Sequence, residues 1–261
     1  MEINISPLSN VLAKRLRSLG IRKYREQEGL FLVEGTRLCQ EAIDSDWPLE
    51  MAVLSQEFLQ QANALWLNQL LDRGVKVFQT TERRFAQISD TVNPQGVLFV
   101  AKMAPQNREF TVRNDLILAL DGIKDPGNMG AILRSSEWFG VDQILVSKNS
   151  VDCTSPKVIR SSMGSFFRIN VYPERDLLSD VKRLHSSRVP VIASHPQKGK
   201  LLRQFKTEYP ILLIIGSEAH GIDPELERFV TDWVTIKGRG HGESLNAAIA
   251  FSIIIYELTN E

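Results

Sequence analysis

Residue order alone predicts an α/β protein in two parts. A small α/β domain covers residues 1–103, a parallel-sheet domain covers residues 114–261, and residues 104–113 link them. Two patterns carry this prediction. Short apolar runs alternate with segments of helical period along both halves, as α/β domains require. In the second half the apolar runs are nearly continuous Ile, Leu and Val, which suits a parallel sheet covered on both faces. With 261 residues, 43% of them apolar and 24% charged, the chain has the composition of a globular protein with a sizeable core.

Taken in order, residues 10–19 place Val11, Leu12, Leu16 and Leu19 on one helical face, away from Lys14, Arg15 and Arg17. A basic connector leads to a buried strand at 30–33. Thr36 is the expected N-cap of a helix running to about residue 43. A strand at 51–54 and a helix at 57–71 follow, with Gly74 as the stop. A strand at 75–78, a short helix capped by Thr81 and a strand at 96–101 complete the first series. Residues 104–113 are polar, contain Pro105 and show no period, as a linker does. The second series has strands at 116–120, 143–146, 167–171, 189–193, 211–215 and 234–236. Helices are expected at 131–139, 155–161 and 177–184. The apolar stretch 245–256 is too short to span a bilayer and is expected to be a buried helix.

Net charge is zero, with 31 bases and 31 acids, so total charge selects no partner. Its distribution is more informative. Residues 181–207 hold seven Lys and Arg and no acid, and residues 14–25 hold six and no acid. Such runs usually form solvated faces, but two of them on a neutral chain favour a polyanion such as RNA. Cys39 and Cys153 lie far apart and join no Cys/His cluster. That spacing argues against a zinc site or a disulfide framework and fits the cytoplasm. The N-terminus has no basic region followed by an apolar core, so no secretory signal is expected.

In a parallel α/β sheet, ligands bind beyond the carboxyl ends of the strands. Three glycine-rich loops follow strands of the second half: 121–130, 216–222 and 236–246. Each has an ordinary explanation. Asp125-Pro126-Gly127-Asn128 is common turn chemistry, Arg134 suits a helix surface, Glu218 suits a helix start, and His220 and His241 are lone imidazoles. In the third loop, alternating Gly238, Gly240 and Gly242 permit positive φ and close approach of a ligand. Ser244 or Asn246 then caps the last helix. No dinucleotide fingerprint, phosphate loop or nucleophile elbow is present. The three loops together, after three strands of one sheet, point to a ligand site.

Three segments carry a resemblance to a known family: Asp121 through Asn128 and Arg134 to Gly140, Ile215 through Glu218 to Ile222, and Ile236 through Glu243-Ser244-Leu245-Asn246 to Ala248. In order and register they resemble the SpoU/TrmH branch of the SPOUT RNA methyltransferases, which methylate ribose 2′-hydroxyls with S-adenosylmethionine. Residues 155–165, with Lys157 and Arg160, look like the family's segment between its first and second motifs. Residues 30–37, with Arg37, look like its ribosomal-protein-like RNA-recognition domain. The departure is Lys237-Gly238, where the family more often has proline after the isoleucine.

The resemblance implies a C-terminal SPOUT domain tied in a trefoil knot, preceded by an RNA-recognition domain. It implies backbone contacts to S-adenosylmethionine around Gly216, Ile236 and Leu245. It implies a reacting centre of Asn128, Arg134, Glu218, Ser244 and Asn246. Ser244 and Asn246 would orient the ribose or the cofactor carboxylate, and Glu218 would hold Asn128 or Arg134. A guanidinium stays protonated at any working pH, so Arg134 is expected as a clamp on a phosphate or oxyanion, with a role as base the lesser variant. Lys14, Arg15, Arg17, Arg22, Lys23, Arg37, Lys157 and Arg160 are the expected RNA contacts. Ribosomal RNA is the preferred substrate, with transfer RNA the alternative. No metal is expected. A homodimer through the C-terminal domain is implied, with Phe251, Ile254 and Ile255 assigned to the core. The competing classes are an idle RNA-binding relative, opposed by the retained polar residues, and a dinucleotide-dependent enzyme, opposed by the missing fingerprint.

Overall fold

A computed structural model describes residues 5–62, 64–105, 109–113 and 115–259. Residues 106–108 of the expected linker, residue 114 at the expected domain start, residue 63 of the expected 57–71 helix and residues 1–4 of the N-terminus lie outside them.

The elements in chain order are β1 (Ile5–Pro7), α1 (Asn10–Ser18), α2 (Arg22–Glu28), β2 (Leu30–Glu34), α3 (Thr36–Asp44) and β3 (Leu49–Ser55). Then come α4 (Gln56–Gln61), α5 (Ala64–Asp72), β4 (Lys76–Thr80), α6 (Glu82–Ile88), β5 (Val97–Lys102) and β6 (Leu116–Asp121). They continue as α7 (Pro126–Trp138), β7 (Gln143–Ser147), α8 (Pro156–Ser161), β8 (Asn170–Arg175), α9 (Leu177–Ser186) and β9 (Val191–Ser194). The last are β10 (Lys200–Leu201), β11 (Ile211–Gly216), α10 (Pro224–Glu227), β12 (Asp232–Thr235) and α11 (Ala247–Thr259). Two compact units result: Met1–Ala104 with Thr154–Phe167, and Pro105–Cys153 with Arg168–Glu261.

The first unit is built on a five-stranded sheet of order β1-β4-β3-β5-β2. The neighbours β1, β4 and β3 run parallel, whereas β5 is antiparallel to both β3 and β2. Apolar alternation predicts such strands but carries no information on their direction. Several local expectations shift. Val11 is 81% exposed, while Ala13, Leu16 and Leu19 are buried. Val11 sits about 100° round the helix from Leu12, off the buried stripe. The basic connector contains α2, which ends at Gly29 in the left-handed region (φ 66°). Its Arg25 is buried and donates to Leu19 O at 2.8 Å. Thr36 opens α3 rather than capping it. Gly35, at φ 103°, takes the cap position, where positive φ favours glycine, and Gln95 Oε1 accepts from Thr36 N at 2.8 Å.

The segment Thr154–Phe167 belongs to this first unit, with α8 packed on β2. Phe166 and Phe167 lie 5.5 and 5.4 Å from Trp47, ring to ring. Because these two phenylalanines pack into a cluster rather than extending a sheet, the strand expected at 167–171 starts only at Asn170.

The second unit carries a seven-stranded, all-parallel sheet of order β10-β12-β9-β11-β6-β7-β8. Strand β11, late in the chain, inserts between β6 and β9. Both β6 and β11 are buried almost throughout. One sheet face packs Ile117, Ala119, Val191 and Ile214 against Val181 and Leu184 of α9. Phe110, within the expected linker, joins this core at 4% exposure. Phe251, Ile254 and Ile255 of α11 are likewise buried. No helix among the described residues is long and apolar enough to cross a membrane.

Candidate active site

Because the second sheet is parallel throughout, the segments after β6, β9, β11 and β12 leave from one edge. After β6, Gly122 (φ 68°) turns the chain, and its N–H donates to Ser147 Oγ at 3.0 Å. Asp125 then caps α7, its Oδ1 accepting from Asn128 N at 2.8 Å, with Pro126 in the first turn. The expected Asp-Pro-Gly-Asn turn is therefore the opening of a helix, since Pro tolerates the first turn where amides lack partners. Asn128 projects from that turn.

After β11 the loop closes on itself. Ser217 N donates to Gly221 O and Gly221 N to Ser217 O, both at 2.9 Å. A Cβ on Gly216 would overlap the Gly221 carbonyl group, so only glycine fits there. Asp121, paired in register with Gly216, accepts from Asp223 N at 2.8 Å. Burial pushes the Asp121 carboxyl above its ordinary range, opposed by that amide bond. The tight loop presents Glu218.

After β12 the third loop delivers Asn246 to the start of α11. Its Oδ1 accepts from Ala248 N at 3.0 Å and Ile249 N at 3.2 Å, a side-chain cap. Its Nδ2 donates to Asn128 Oδ1 at 2.8 Å and to Glu218 Oε1 at 2.7 Å. Asn128 Nδ2 donates to the same Glu218 oxygen at 2.9 Å, and Ala247 N adds a third bond at 3.0 Å. Asn128, Glu218 and Asn246 thus form a closed ring that uses every polar atom of the Asn246 side chain.

Beside this ring lies a cavity of about 700 Å³, within the range of small-molecule sites. Gly216, Ile236, Ser244 and Leu245 line it. Asn246 lies outside the lining, although Ala247 belongs to it. Arg134 also lies outside it, exposed on α7 and without a partner among the described residues. It follows Asn128 by six residues, about 240° round the helix, so the two leave on different faces. Ser244 makes no hydrogen bond among the described residues.

Sequence reasoning passed over one wall of the cavity, made by Ser194, His195 and Trp233. The edge rule that selected the other loops covers Ser194-His195 after β9, but the segment carries only Gly199 and not the several glycines that drew attention elsewhere. His195 Nδ1 accepts from Gln197 N at 3.0 Å and Lys198 N at 3.1 Å, which requires that nitrogen to be unprotonated. Burial and the nearby Lys198 hold its pKa below the ordinary value, with Glu227 opposing.

Several bases of the two acid-free runs are held by acids or rings from outside the run. Lys198 pairs with Glu227 at 3.3 Å and sits 3.7 Å above the Trp233 ring, Lys200 pairs with Asp232 at 2.6 Å, and Arg183 lies 4.3 Å above Phe110. In the first unit Arg15 bonds Glu28 and Glu50, Arg17 bonds Gln87, Arg22 pairs with Glu26, and Arg160 pairs with Asp90. Lys14, Lys23, Arg37 and Lys157 are exposed and without partners among the described residues.

The model of the SpoU rRNA Methylase family matches residues 115–256, more than half of the chain and all of this site. The chain belongs to that family. The MRM3-like substrate binding domain matches residues 10–99. Among SpoU-like relatives, an uncharacterised tRNA/rRNA methyltransferase of Synechocystis is 32% identical over 97% of this chain and 92% of its own length. The 23S rRNA (guanosine(2553)-2′-O)-methyltransferase RlmP of Bacillus subtilis is 28% identical over 97% and 98%. The crystal structure of an AdoMet-bound rRNA methyltransferase from Sinorhizobium meliloti superposes with a TM-score of 0.83 at 28% identity, covering 97% of this chain and 95% of that one.

Two outcomes follow for this SpoU-family chain. Gly216→Ala forces the 217–221 loop from its place and lowers stability by about 1–3 kcal/mol in urea titration; an unchanged midpoint would refute the close packing. His195 has a depressed folded-state pKa, so its contribution is complete above the ordinary 6.5 and is lost as pH falls through the folded value. The melting temperature between pH 7 and 5 therefore declines less in His195→Asn, whose side-chain oxygen still accepts the two amides, than in wild type. Parallel declines would remove His195 from the titration.

Proposed function

We propose that the chain is an S-adenosylmethionine-dependent 2′-O-methyltransferase of ribosomal RNA in the cytoplasm. The observation that carries this is the Asn128–Glu218–Asn246 ring at the edge of the cavity, in a chain of the SpoU family. The cavity suits the cofactor by chemistry. Its apolar side, with Ile215, Ile222, Ile236 and Leu245, matches an adenine ring, and Ser194, Ser217 and Ser244 offer polar edges. S-adenosylmethionine supplies an electrophilic methyl group. Gly216, Ile236, Leu245 and Ser244 would hold it, with Asn246 fixing the backbone beside it.

A ribose 2′-hydroxyl is a weak nucleophile, so the chain's task is to place it and to stabilise its developing negative charge. The ring fixes Asn128 and Asn246 relative to each other before substrate arrives. Arg134, permanently charged, acts as the electrostatic clamp on the oxyanion or the adjacent phosphate. Within one chain Arg134 stands apart from the ring. Around it, α7 and α11 expose Trp138 at 80%, Tyr256 at 55%, Ile249 at 53% and Ile253 at 37%. This supports a homodimer through that face, with Arg134 completing the site of the partner copy. The C-terminal unit is proposed to close as a trefoil knot; the bonds from Asn246 and Ala247 to Glu218 are consistent with α11 seated against that loop.

The first unit is proposed as the RNA-recognition domain, in line with the substrate-binding match. Lys14, Lys23, Arg37 and Lys157 would contact phosphate directly. Arg15, Arg17, Arg22 and Arg160 would contribute from within their present pairs. Cys39 and Cys153 are both buried thiols, which accords with a reducing compartment.

Incubation with labelled S-adenosylmethionine and ribosomal RNA should label the RNA at a 2′-O position. Label on transfer RNA instead would move the substrate, and cofactor binding without transfer would leave an idle relative. Arg134→Ala should abolish transfer with cofactor affinity within about tenfold, or 1.4 kcal/mol; lost cofactor binding in a folded variant would overturn its role. Trp138→Glu should shift the sedimenting species from dimer to monomer, and a dimer that persists would rule out this face.

A further inference from the structure

The segment Lys237-Gly238-Arg239-Gly240-His241-Gly242-Glu243 opens on the departure Lys237-Gly238, and the ring of polar side chains does not use it. It lies at the rim of the cavity. Lys237, Gly238, Arg239, Gly240, Gly242 and Glu243 all line it, and every residue from Lys237 to Glu243 is exposed. Lys237 and Arg239 have neither a hydrogen bond nor an ion pair among the described residues. That contrasts with Lys198 and Lys200 of the same unit, each held by an acid.

The three glycines are the second observation. None of Gly238, Gly240 and Gly242 has positive φ, and a Cβ built on any of them would meet nothing within 4 Å. Neither backbone geometry nor packing within the chain calls for glycine at these positions. What glycine does provide is a bare main chain between successive bases. A bare main chain admits a large ligand to its N–H groups and leaves no side chain to hold that ligand off. A phosphodiester backbone needs both features: cations without internal partners and unobstructed amides. The cofactor carries one anionic group, its methionine carboxylate, beside cationic sulfonium and ammonium groups, whereas an RNA strand offers successive phosphates to the two bases.

We infer that Lys237 and Arg239, on a glycine-spaced loop, form a phosphate-binding strip that seats the substrate RNA strand over the cavity mouth beside the reacting ribose. The inference rests on the proposed function and adds a positioning element to it. His241 lies on the same loop outside the cavity lining, and Glu243 bounds the strip with the segment's one acid. The strip acts on RNA placement, so its loss appears in KM for RNA before kcat.

The test uses the full chain, ribosomal RNA and S-adenosylmethionine. In the double variant Lys237→Gln/Arg239→Gln, the slope of log affinity for RNA against log salt should fall by roughly 0.7–0.9 per lost phosphate contact. KM for RNA should rise about tenfold, and calorimetry should give an unchanged cofactor affinity. Separately, Gly238→Ala/Gly240→Ala should melt like wild type yet show a raised KM for RNA, an effect that a merely solvated loop would not produce. An unchanged salt slope and KM in the double variant, with wild type active, overturns the strip alone. A parallel fall in cofactor affinity reassigns the loop to the cofactor and also overturns it. Wild-type protein that neither binds ribosomal RNA nor methylates it removes the proposed function and the strip together.

Discussion

Oε1 of Glu218 receives hydrogen bonds from Asn128 Nδ2, Asn246 Nδ2 and the backbone N–H of Ala247, and so joins three segments distant in sequence. Bonds to an ionised carboxylate are stronger than neutral ones, but these lie near solvent, so each contributes only about 1–2 kcal/mol net. Their larger effect is geometric. The start of α7, the loop after β11 and the start of α11 cannot shift independently while one oxygen holds all three. The supporting constraints serve that oxygen: Gly216 allows the 217–221 loop to close, Asp125 fixes the turn that carries Asn128, and Asn246 caps the helix that offers Ala247.

Charge in the second unit is sorted by the same economy of contacts. The long acid-free run reads in sequence as a basic patch, yet Asp232, Glu227, Phe110 and Trp233 reach it from elsewhere in the fold. The bases left without partners include Arg134 on the exposed face of α7 and Lys237 and Arg239 at the cavity rim. Linear charge counts therefore overstate one surface and understate another, because the neutralising acids come from other segments.

Most of the element order and the parallel sheet of the second unit were readable from apolar runs, since burial on both faces leaves a local mark, whereas the short β1, β10 and α10 were not. The partners of Glu218 were readable as a set only through the family likeness; no spacing rule brings residues 128, 218 and 246 together. Three features left no local mark. The direction of β5 is decided by pairing across the sheet. The helical state of residues 22–28 was hidden by their charge. The wall formed by His195 and Trp233 depends on the lateral order of strands β9 and β12. Where a position was misjudged, as at Val11 or Thr36, the cause was helix phase or a glycine already occupying the cap.

The insertion of β11 between β6 and β9 has a consequence for how the molecule comes into being. Its partner β6 is paired at Leu116–Asp121, whereas β11 spans Ile211–Gly216, so the middle of the sheet is closed by one of the most non-local pairings in the chain. High contact order of this kind slows folding. A ribosome adding roughly 5–20 residues per second exposes β6 for several seconds before its neighbour exists. During that interval an apolar strand with free edge amides stands open to self-association, a hazard for chaperones to contain. The strand that brings Glu218 to the site is thus also the one whose late arrival closes the sheet.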